Sequence, residues 1–217
     1  MTFSIVARDP QTGAFGIATA TAGPMVGALV PHTRSGRGAA ATQAMTNPYL
    51  AFDALELLDG RDAEAALQAA LARDEEAALR QMIVVDQVGR TAAWTGQSCI
   101  AFAGHLCGDG VAVAGNMLAG PEVIADMLSA YLSLKGKVDF ASTLLGALNA
   151  GAETGGDIRG IGSAALRVHG AESFAEVDIR VDWSKEPLVD LQGLLDRASG
   201  GPYAEFFSTL PRRAGHF

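Results

Sequence analysis

A group of polar side chains able to bind or polarise a carbonyl group stands within small or apolar runs of this sequence. Thr42 and Gln43 follow a run of three alanines, Asn47 comes four residues later, and Asn116 ends an apolar segment. A polar group surrounded by apolar residues needs a hydrogen-bond partner, and amide N–H groups are among the donors that stabilise an oxyanion. We therefore predict that Thr42, Gln43, Asn47 and Asn116 are binding residues.

A carboxylate and a guanidinium follow two consecutive glycines further along the chain. Asp157 and Arg159 come after Gly155 and Gly156, so the backbone there can approach a ligand closely. The guanidinium could hold a substrate carboxylate through two parallel hydrogen bonds. A buried Asp–Arg pair that fixes the loop is the alternative, and the sequence does not choose between the two. We predict Asp157 and Arg159 as binding residues.

Cys99, His105 and Cys107 are side chains that can ligate metals. Their spacing matches no zinc pattern, and no fourth ligand is evident. The sequence also holds no Walker A motif and no dinucleotide-binding fingerprint. We therefore predict no metal site and no cofactor. Because two cysteines give no disulfide framework, we expect the chain in a bacterial-type cytoplasm.

The composition predicts a folded protein and excludes some partners. Of the 217 residues, 49% are hydrophobic and only 18% are charged, which is typical of a chain with a large core. The net charge is −8 and only three lysines occur, so we expect neither nucleic acid nor a membrane surface as a partner. The first residues resemble no signal peptide, and no apolar run reaches the roughly 18 residues of a membrane span.

The elements that must position these side chains can be predicted from apolar spacing, helix caps and turn residues. We predict a loop over 21–38, a helix after the cap residue Asn47, and an irregular segment before 111. The strands are predicted at 3–9, 14–20, 38–43, 81–86, 90–95, 111–116, 163–168 and 176–181, and the helices at 48–59, 62–73, 121–132, 140–151 and 187–198.

Helices that arrive in pairs between strand hairpins do not suit a parallel sheet, which needs single alternating crossovers. They favour an α+β fold in which two stacked antiparallel sheets are flanked by helix pairs, a four-layer αββα sandwich. The apolar run 82–85 agrees, because a sheet covered on both faces loses its alternation. A two-layer α/β sandwich is the alternative. We predict one domain over 1–217, with a core of about 2–198 and a C-terminal tail over 199–217.

Five sequence blocks, in order along the chain, resemble domain-of-unknown-function family 1028. The resemblance implies a fold like that of the N-terminal nucleophile (Ntn) hydrolases, and it implies no established activity. The blocks are Thr2 to Gly13, Ala41-Thr42-Gln43-Ala44, Gly115 to Pro121, Gly155 to Leu166, and Asp178-Ile179-Arg180-Val181-Asp182.

The implied fold makes Thr2 the candidate catalytic residue. In Ntn hydrolases the first residue of the mature chain is the nucleophile, and its own α-amine is the base. An α-amine has a pKa of about 7.7–8.0, which suits proton abstraction near neutral pH. Thr2 follows Met1, and methionine is commonly removed before a small residue. The alternative interpretation is that Thr2 merely begins an edge strand.

These observations lead to two hypotheses about function. The first is a hydrolase of amide bonds in a small, carboxylate-bearing substrate, with Thr2 as nucleophile and the Gln43 or Asn116 region as oxyanion donor. The second is a non-catalytic protein with the same fold that binds a small ligand or takes part in an assembly. A free Thr2 amine is needed only by the enzyme. Apolar residues on the helix pairs also favour a homo-oligomer.

Overall fold

The computed structural model describes residues 2–213, which form ten β-strands, seven α-helices and one short 3-10 helix at 77–79. The strands are β1 Thr2–Arg8, β2 Phe15–Thr21, β3 Pro31–Arg34, β4 Gly38–Ala44, β5 Arg80–Asp86, β6 Thr91–Thr95, β7 Gly104–Gly108, β8 Val111–Asn116, β9 Ser163–His169 and β10 Val177–Val181. The helices are α1 Val26–Leu29, α2 Pro48–Leu57, α3 Ala63–Leu71, α4 Glu122–Leu134, α5 Phe140–Glu153, α6 Pro187–Ser199 and α7 Gly201–Ser208.

The strands form two antiparallel sheets. The six-stranded sheet has the order β10-β9-β2-β1-β8-β7, and the four-stranded sheet has the order β3-β4-β5-β6. β1 lies in the middle of the larger sheet, paired with β2 on one side and β8 on the other. Thr2 stands opposite Thr21 and Asn116 in these pairings, so the N-terminal end of β1 has a strand on either side.

Three apolar clusters define four layers. Residues of both sheets, such as Val6, Ile17 and Ile83, form the cluster between the sheets. A second cluster joins α2 and α3 to the four-stranded sheet, and a third joins α4, α5 and α6 to the six-stranded sheet. Because successive strand side chains point to opposite faces, both faces of each sheet are buried. The predicted αββα sandwich is therefore confirmed.

Local sequence signals set the helix starts. Asn47 caps α2 by accepting a hydrogen bond from the Tyr49 amide at 3.2 Å, and Pro48 occupies the first turn. Asp62 and Asp139 cap α3 and α5 in the same way. Such caps satisfy backbone N–H groups that have no partner inside the helix, and each contributes about 1 kcal/mol. Helices α2, α3 and α5 consequently begin close to their predicted positions, and α4 does so without a side-chain cap.

Four of the strands and α-helices were not predicted. β3 and α1 lie within the segment 21–38 that the sequence predicts as loop, and β7 lies within the predicted irregular stretch. Helix α7 lies inside the predicted tail 199–217. The strands β3 and β7 are at sheet edges and half exposed, so they need no continuous apolar pattern. Among the described residues, no helix is long and apolar enough to cross a membrane.

Candidate functional site

Thr2 lies between the two sheets at the end of the central strand. Its side chain shares a strand face with Ser4 and Val6, which point toward the four-stranded sheet, and it is 6% exposed. The Thr2 hydroxyl donates a hydrogen bond to Thr21 Oγ1 at 3.2 Å. The interpretation of Thr2 as the start of an edge strand is therefore wrong, because β1 is paired on both sides.

Two of the predicted binding residues hold the Thr2 peptide group. Gln43 Nε2 and Asn116 Nδ2 donate to the Thr2 carbonyl oxygen at 3.3 and 3.4 Å. The same two nitrogen atoms donate to Gln81 Oε1 at 2.8 and 3.0 Å. Both N–H groups of each amide thus have partners inside the protein. In this arrangement the amides position Thr2, and neither presents an unused donor to an oxyanion.

Gln81 joins the two sheets at this point and was not among the predicted binding residues. Its Nε2 atom lies within 2.8–3.0 Å of three acceptors, Thr95 Oγ1 and the carbonyl oxygens of Gly104 and Gly115. Its side chain is fully buried. A buried polar group costs free energy unless it is hydrogen-bonded, and here every polar atom of the side chain is bonded.

A second part of the same network lies along β1 and β2. Ser4 donates to Gln43 Oε1 at 2.6 Å and lies 2.7 Å from Thr19 Oγ1. Thr19 and Thr21 occupy alternate positions of β2, opposite Ser4 and Thr2. This i, i+2 spacing of small polar residues was the sequence signal that could have identified the network. We call Thr2, Ser4, Thr19, Thr21, Gln43, Gln81 and Asn116 the inter-sheet polar network.

Thr42 and Asn47 do not belong to this network. Thr42 precedes Gln43 on β4, so its side chain points to the opposite face, toward the helices. Its hydroxyl donates to the Asn47 carbonyl oxygen at 3.1 Å. The Asn47 side chain caps α2 and donates to Asp74 Oδ2 at 2.8 Å. Both residues therefore fix the start of α2, and the structure places neither beside Thr2.

Asp74, which accepts the hydrogen bond from Asn47, forms a buried ion pair with Arg80. Arg80 Nε lies 2.9 Å from Asp74 Oδ2, and Arg80 also contacts Glu76 and the Met45 carbonyl oxygen, each at 2.6 Å. The side chains of Asp74 and Arg80 are 6% and 10% exposed. The hydrogen bond from Arg80, with smaller contributions from Asn47 and the Glu76 backbone, lowers the pKa of Asp74 to about 2.

We expect Asp74→Asn to destabilise the protein by about 2 kcal/mol at pH 7, the order of magnitude that a pKa lowered from 3.8 to about 2 implies. Because the folded-state pKa is the lower one, this stabilisation is complete above about pH 4 and is lost as the pH falls toward 2. Urea unfolding at pH 7 and pH 3 measures both effects. Asp59→Asn, in an exposed pair with Arg37, is the control and should cost less than about 1 kcal/mol. Equal losses in the two variants would contradict this account.

Asp157 fixes the loop that precedes β9. Its buried carboxylate accepts hydrogen bonds from the Ala22 amide at 2.9 Å and the Arg159 amide at 2.8 Å. The Arg159 guanidinium lies 3.3 Å from the same carboxylate and is about half exposed. These contacts match the alternative given above, in which Asp157 and Arg159 form a pair that fixes the loop. Through Ala22 the loop is held next to Thr21 of the inter-sheet polar network.

An apolar cavity of about 330 Å³ opens beside Asn116. Its wall consists largely of Met45, Leu79, Ile100 and Met117, together with small residues and the Asn116 amide. None of the residues lining it is charged. A cavity without charge favours an apolar group of a ligand, because a charged group would lose its hydration there without gaining a partner.

Backbone strain is concentrated at this cavity. Ala44 and Met117 line it, and both have left-handed backbone conformations, with φ angles of 71° and 52°. They directly follow Gln43 and Asn116, the two residues that bond to the Thr2 carbonyl oxygen. A non-glycine residue in this region costs on the order of 1 kcal/mol or more and is often found near functional sites. The strained positions therefore coincide with the cavity beside Asn116, whose amide bonds to the Thr2 carbonyl oxygen.

Cys99 and His105 bond to different partners and not to each other. Cys99 Sγ donates to the Arg80 carbonyl oxygen at 3.4 Å, and His105 Nδ1 is hydrogen-bonded to Thr95 at 2.8 Å. Cys107 is exposed. Burial raises the pKa of Cys99 and lowers that of His105. Within residues 2–213, no group of three His, Cys, Asp or Glu residues is placed to hold a metal ion.

Sequence and structure comparisons give the class of protein. The profile of DUF1028, a family of unknown function, matches residues 2–191, and the chain belongs to this family. A DUF1028 protein from Silicibacter pomeroyi, known from its crystal structure, is 32% identical with a TM-score of 0.91. That alignment covers 97% of this chain and 91% of the other. No curated protein matches the chain.

Two more distant structures are Anbu (ancestral beta-subunit) proteins. The one from Yersinia bercovieri has 12% identity and a TM-score of 0.43, over 98% of this chain and 100% of the other. The Gly-1 mutant from Hyphomicrobium sp. strain MC1 has 10% identity and a TM-score of 0.46, over 99% of this chain and 100% of the other. At this level of similarity neither neighbour carries information on activity.

Proposed function

We propose that the protein hydrolyses an amide bond of a small substrate, with Thr2 as the nucleophile after removal of Met1. The observation that carries the proposal is the position of Thr2. It begins the central strand, its side chain lies between the sheets, and two buried amides hold its carbonyl oxygen. A nucleophile must be held within a fraction of an ångström of its productive position, and this network provides that rigidity.

The proton transfers and the bond changes use the two polar groups of Thr2 itself. With Met1 removed, the neutral α-amine accepts the hydroxyl proton as Oγ1 attacks the substrate carbonyl carbon. The tetrahedral intermediate breaks its C–N bond, and the leaving amine takes the proton from the ammonium group. Water then attacks the ester that has formed, again losing its proton to the α-amine, and the acid leaves as Thr2 regains its hydroxyl.

The apolar cavity beside Asn116 suggests what the substrate carries. The sequence predicts a carboxylate, but the cavity beside Asn116 has an uncharged lining of Met45, Leu79, Ile100 and Met117. We therefore propose an apolar acyl group as the part of the substrate that is recognised next to Thr2. The substrate remains a small molecule in this proposal, and the reaction takes place in the cytoplasm.

We expect Ser98→Trp to slow acylation by a β-lactone that bears an apolar side chain about tenfold or more, because the indole would fill the cavity that Ser98 lines. Acylation by unsubstituted β-propiolactone, which needs no cavity, should stay within twofold. Gln97→Trp is the matched control, because Gln97 is the exposed neighbour outside the cavity lining. Rates followed by intact-mass spectrometry test the expectation. Equal slowing of both lactones would show that the cavity does not select the acyl group.

The same experiment tests the nucleophile. We expect the intact mass of tag-free protein to show the loss of one methionine and, after exposure to a β-lactone, a single adduct. The adduct should be absent in Thr2→Ala. A retained Met1 without an adduct would remove Thr2 as the nucleophile.

A non-catalytic binding protein is the second candidate, and one observation favours it. The amides of Gln43, Gln81 and Asn116 bond to one another and to the backbone, and the inter-sheet polar network contains no charged side chain. A network without an unused donor can serve folding alone. A ligand that binds equally to the wild type and Thr2→Ala, with turnover in neither, would favour this candidate.

A further inference from the structure

A second cavity lies at the opposite end of the central strand from Thr2. Its lining includes the turn between β1 and β2, the segment between α4 and α5, and the beginning of β10. The first two are in close proximity, since Gln11 Nε2 lies 3.6 Å from the point where a side chain at Gly136 would begin. The cavity has a volume of about 560 Å³, larger than the cavity beside Asn116.

A tyrosine hydroxyl that has no partner among the described residues marks this cavity. Tyr131 of α4 lines it and is only 1% exposed. Within residues 2–213, its hydroxyl makes no hydrogen bond. The inter-sheet polar network shows the usual situation, in which buried polar atoms are bonded. The Tyr131 hydroxyl is instead open to the cavity, so its hydrogen-bond partner is whatever occupies the cavity, water or a ligand.

The charged side chains around the cavity are mostly acidic. Asp9, Asp139 and Glu176 line it, and Lys135 is the single basic residue in the lining. Asp9 and Asp139 accept hydrogen bonds from backbone groups of their own turns, which leaves further acceptor positions on each carboxylate. Because the lining has three carboxylates and only the ammonium group of Lys135 to balance them, it favours a ligand with positive charge.

The arrangement favours an organic cation over a metal ion. In the described part of the chain, no three His, Cys, Asp or Glu residues are close enough to share a metal. Burial, with a smaller contribution from the Asp9 charge, raises the pKa of Tyr131 to about 12, so the phenol keeps its proton and can donate it. A suitable ligand therefore combines an ammonium group for the carboxylates with an oxygen atom for Tyr131.

We propose that this cavity binds a small protonated amine that carries hydroxyl groups. Its ammonium group is attracted by the carboxylates of Asp9, Asp139 and Glu176 and contacts one of them, and one of its oxygen atoms accepts a hydrogen bond from Tyr131. The lining also offers polar groups of Gln11 and Thr12 to the remaining hydroxyl groups. The site is independent of Thr2, so it stands whether or not the protein is a hydrolase.

Titration calorimetry at pH 6 with three sugars of similar size and shape tests the proposal. At this pH glucosamine is a cation, glucose is neutral and glucuronate is an anion. We expect glucosamine to bind saturably, glucose to bind at least tenfold more weakly, and glucuronate not to bind. Tyr131→Phe removes only the hydroxyl and should weaken glucosamine binding about fivefold or more. Glu176→Gln should weaken it through the loss of one charge, whereas Tyr49→Phe, at an exposed tyrosine, should not.

Thermal unfolding separates loss of binding from loss of folding. Because the Tyr131 hydroxyl has no internal partner, Tyr131→Phe should be at least as stable as the wild type without ligand. A marked loss of stability would show that the hydroxyl has a structural role and would overturn the proposal. Absence of glucosamine binding to the wild type, equal affinity for the three sugars, or unchanged affinity in Tyr131→Phe would each overturn it as well. If glucosamine does not bind to the wild type, the cavity holds only water.

Discussion

Replacing Thr2 with alanine is expected to abolish amide hydrolysis, with a loss on the order of 10⁴-fold or more. The variant lacks the hydroxyl that attacks the carbonyl carbon, while the backbone bonds from Gln43 and Asn116 to its carbonyl oxygen remain. Thr2→Ser keeps the hydroxyl and should retain activity within about tenfold. Turnover measured on processed protein, with Met1 removal verified by mass, checks both expectations.

The pH dependence of the same reaction gives an independent test. The α-amine must be neutral to accept the hydroxyl proton, so the rate should rise with pH and level off above the amine pKa, ordinarily about 7.7–8.0. Thr209→Ala, at an exposed threonine of the C-terminal region, is the matched control and should have wild-type rates. Activity that persists in Thr2→Ala, or that does not decline below neutral pH, would show that another group is the nucleophile or base.

The layers of the fold could be predicted because the sequence carries a local signal for most elements. Asn47, Asp62 and Asp139 cap helices that begin where expected, and buried strands such as β5 are continuous apolar runs. Edge strands lack that signal. β3 begins at a proline and β7 has mostly exposed residues, so their pairing depends on the neighbouring strands β4 and β8.

The site was predicted only in part, and strand geometry explains the difference. Thr42 and Gln43 are adjacent on β4 and have similar sequence surroundings, yet alternation sends them to opposite faces. The stacking of the two sheets decides whether Thr42 or Gln43 points toward Thr2, and no local sequence pattern encodes that stacking. Gln81 was missed because it stands at the beginning of the apolar run of β5, where it reads as a boundary residue.

Gln81 is also the position at which a single substitution should cost the most stability. We expect Gln81→Leu to lower the free energy of unfolding by about 3–5 kcal/mol, because several buried groups lose their partner at once. The amides of Gln43 and Asn116 lose the acceptor Oε1, and the carbonyl oxygens of Gly104 and Gly115 lose a donor. Leucine has a similar volume, so the loss would report on hydrogen bonding more than on packing.

Urea unfolding followed by circular dichroism measures this effect, with Gln87→Leu as the matched control. Gln87 is exposed in the turn after β5, and its substitution should change stability by no more than about 0.5 kcal/mol. A loss below about 1 kcal/mol in Gln81→Leu would mean that the inter-sheet polar network reorganises without Gln81. Because the same network holds the Thr2 carbonyl oxygen, such a result would also weaken the argument that Thr2 is rigidly positioned for catalysis.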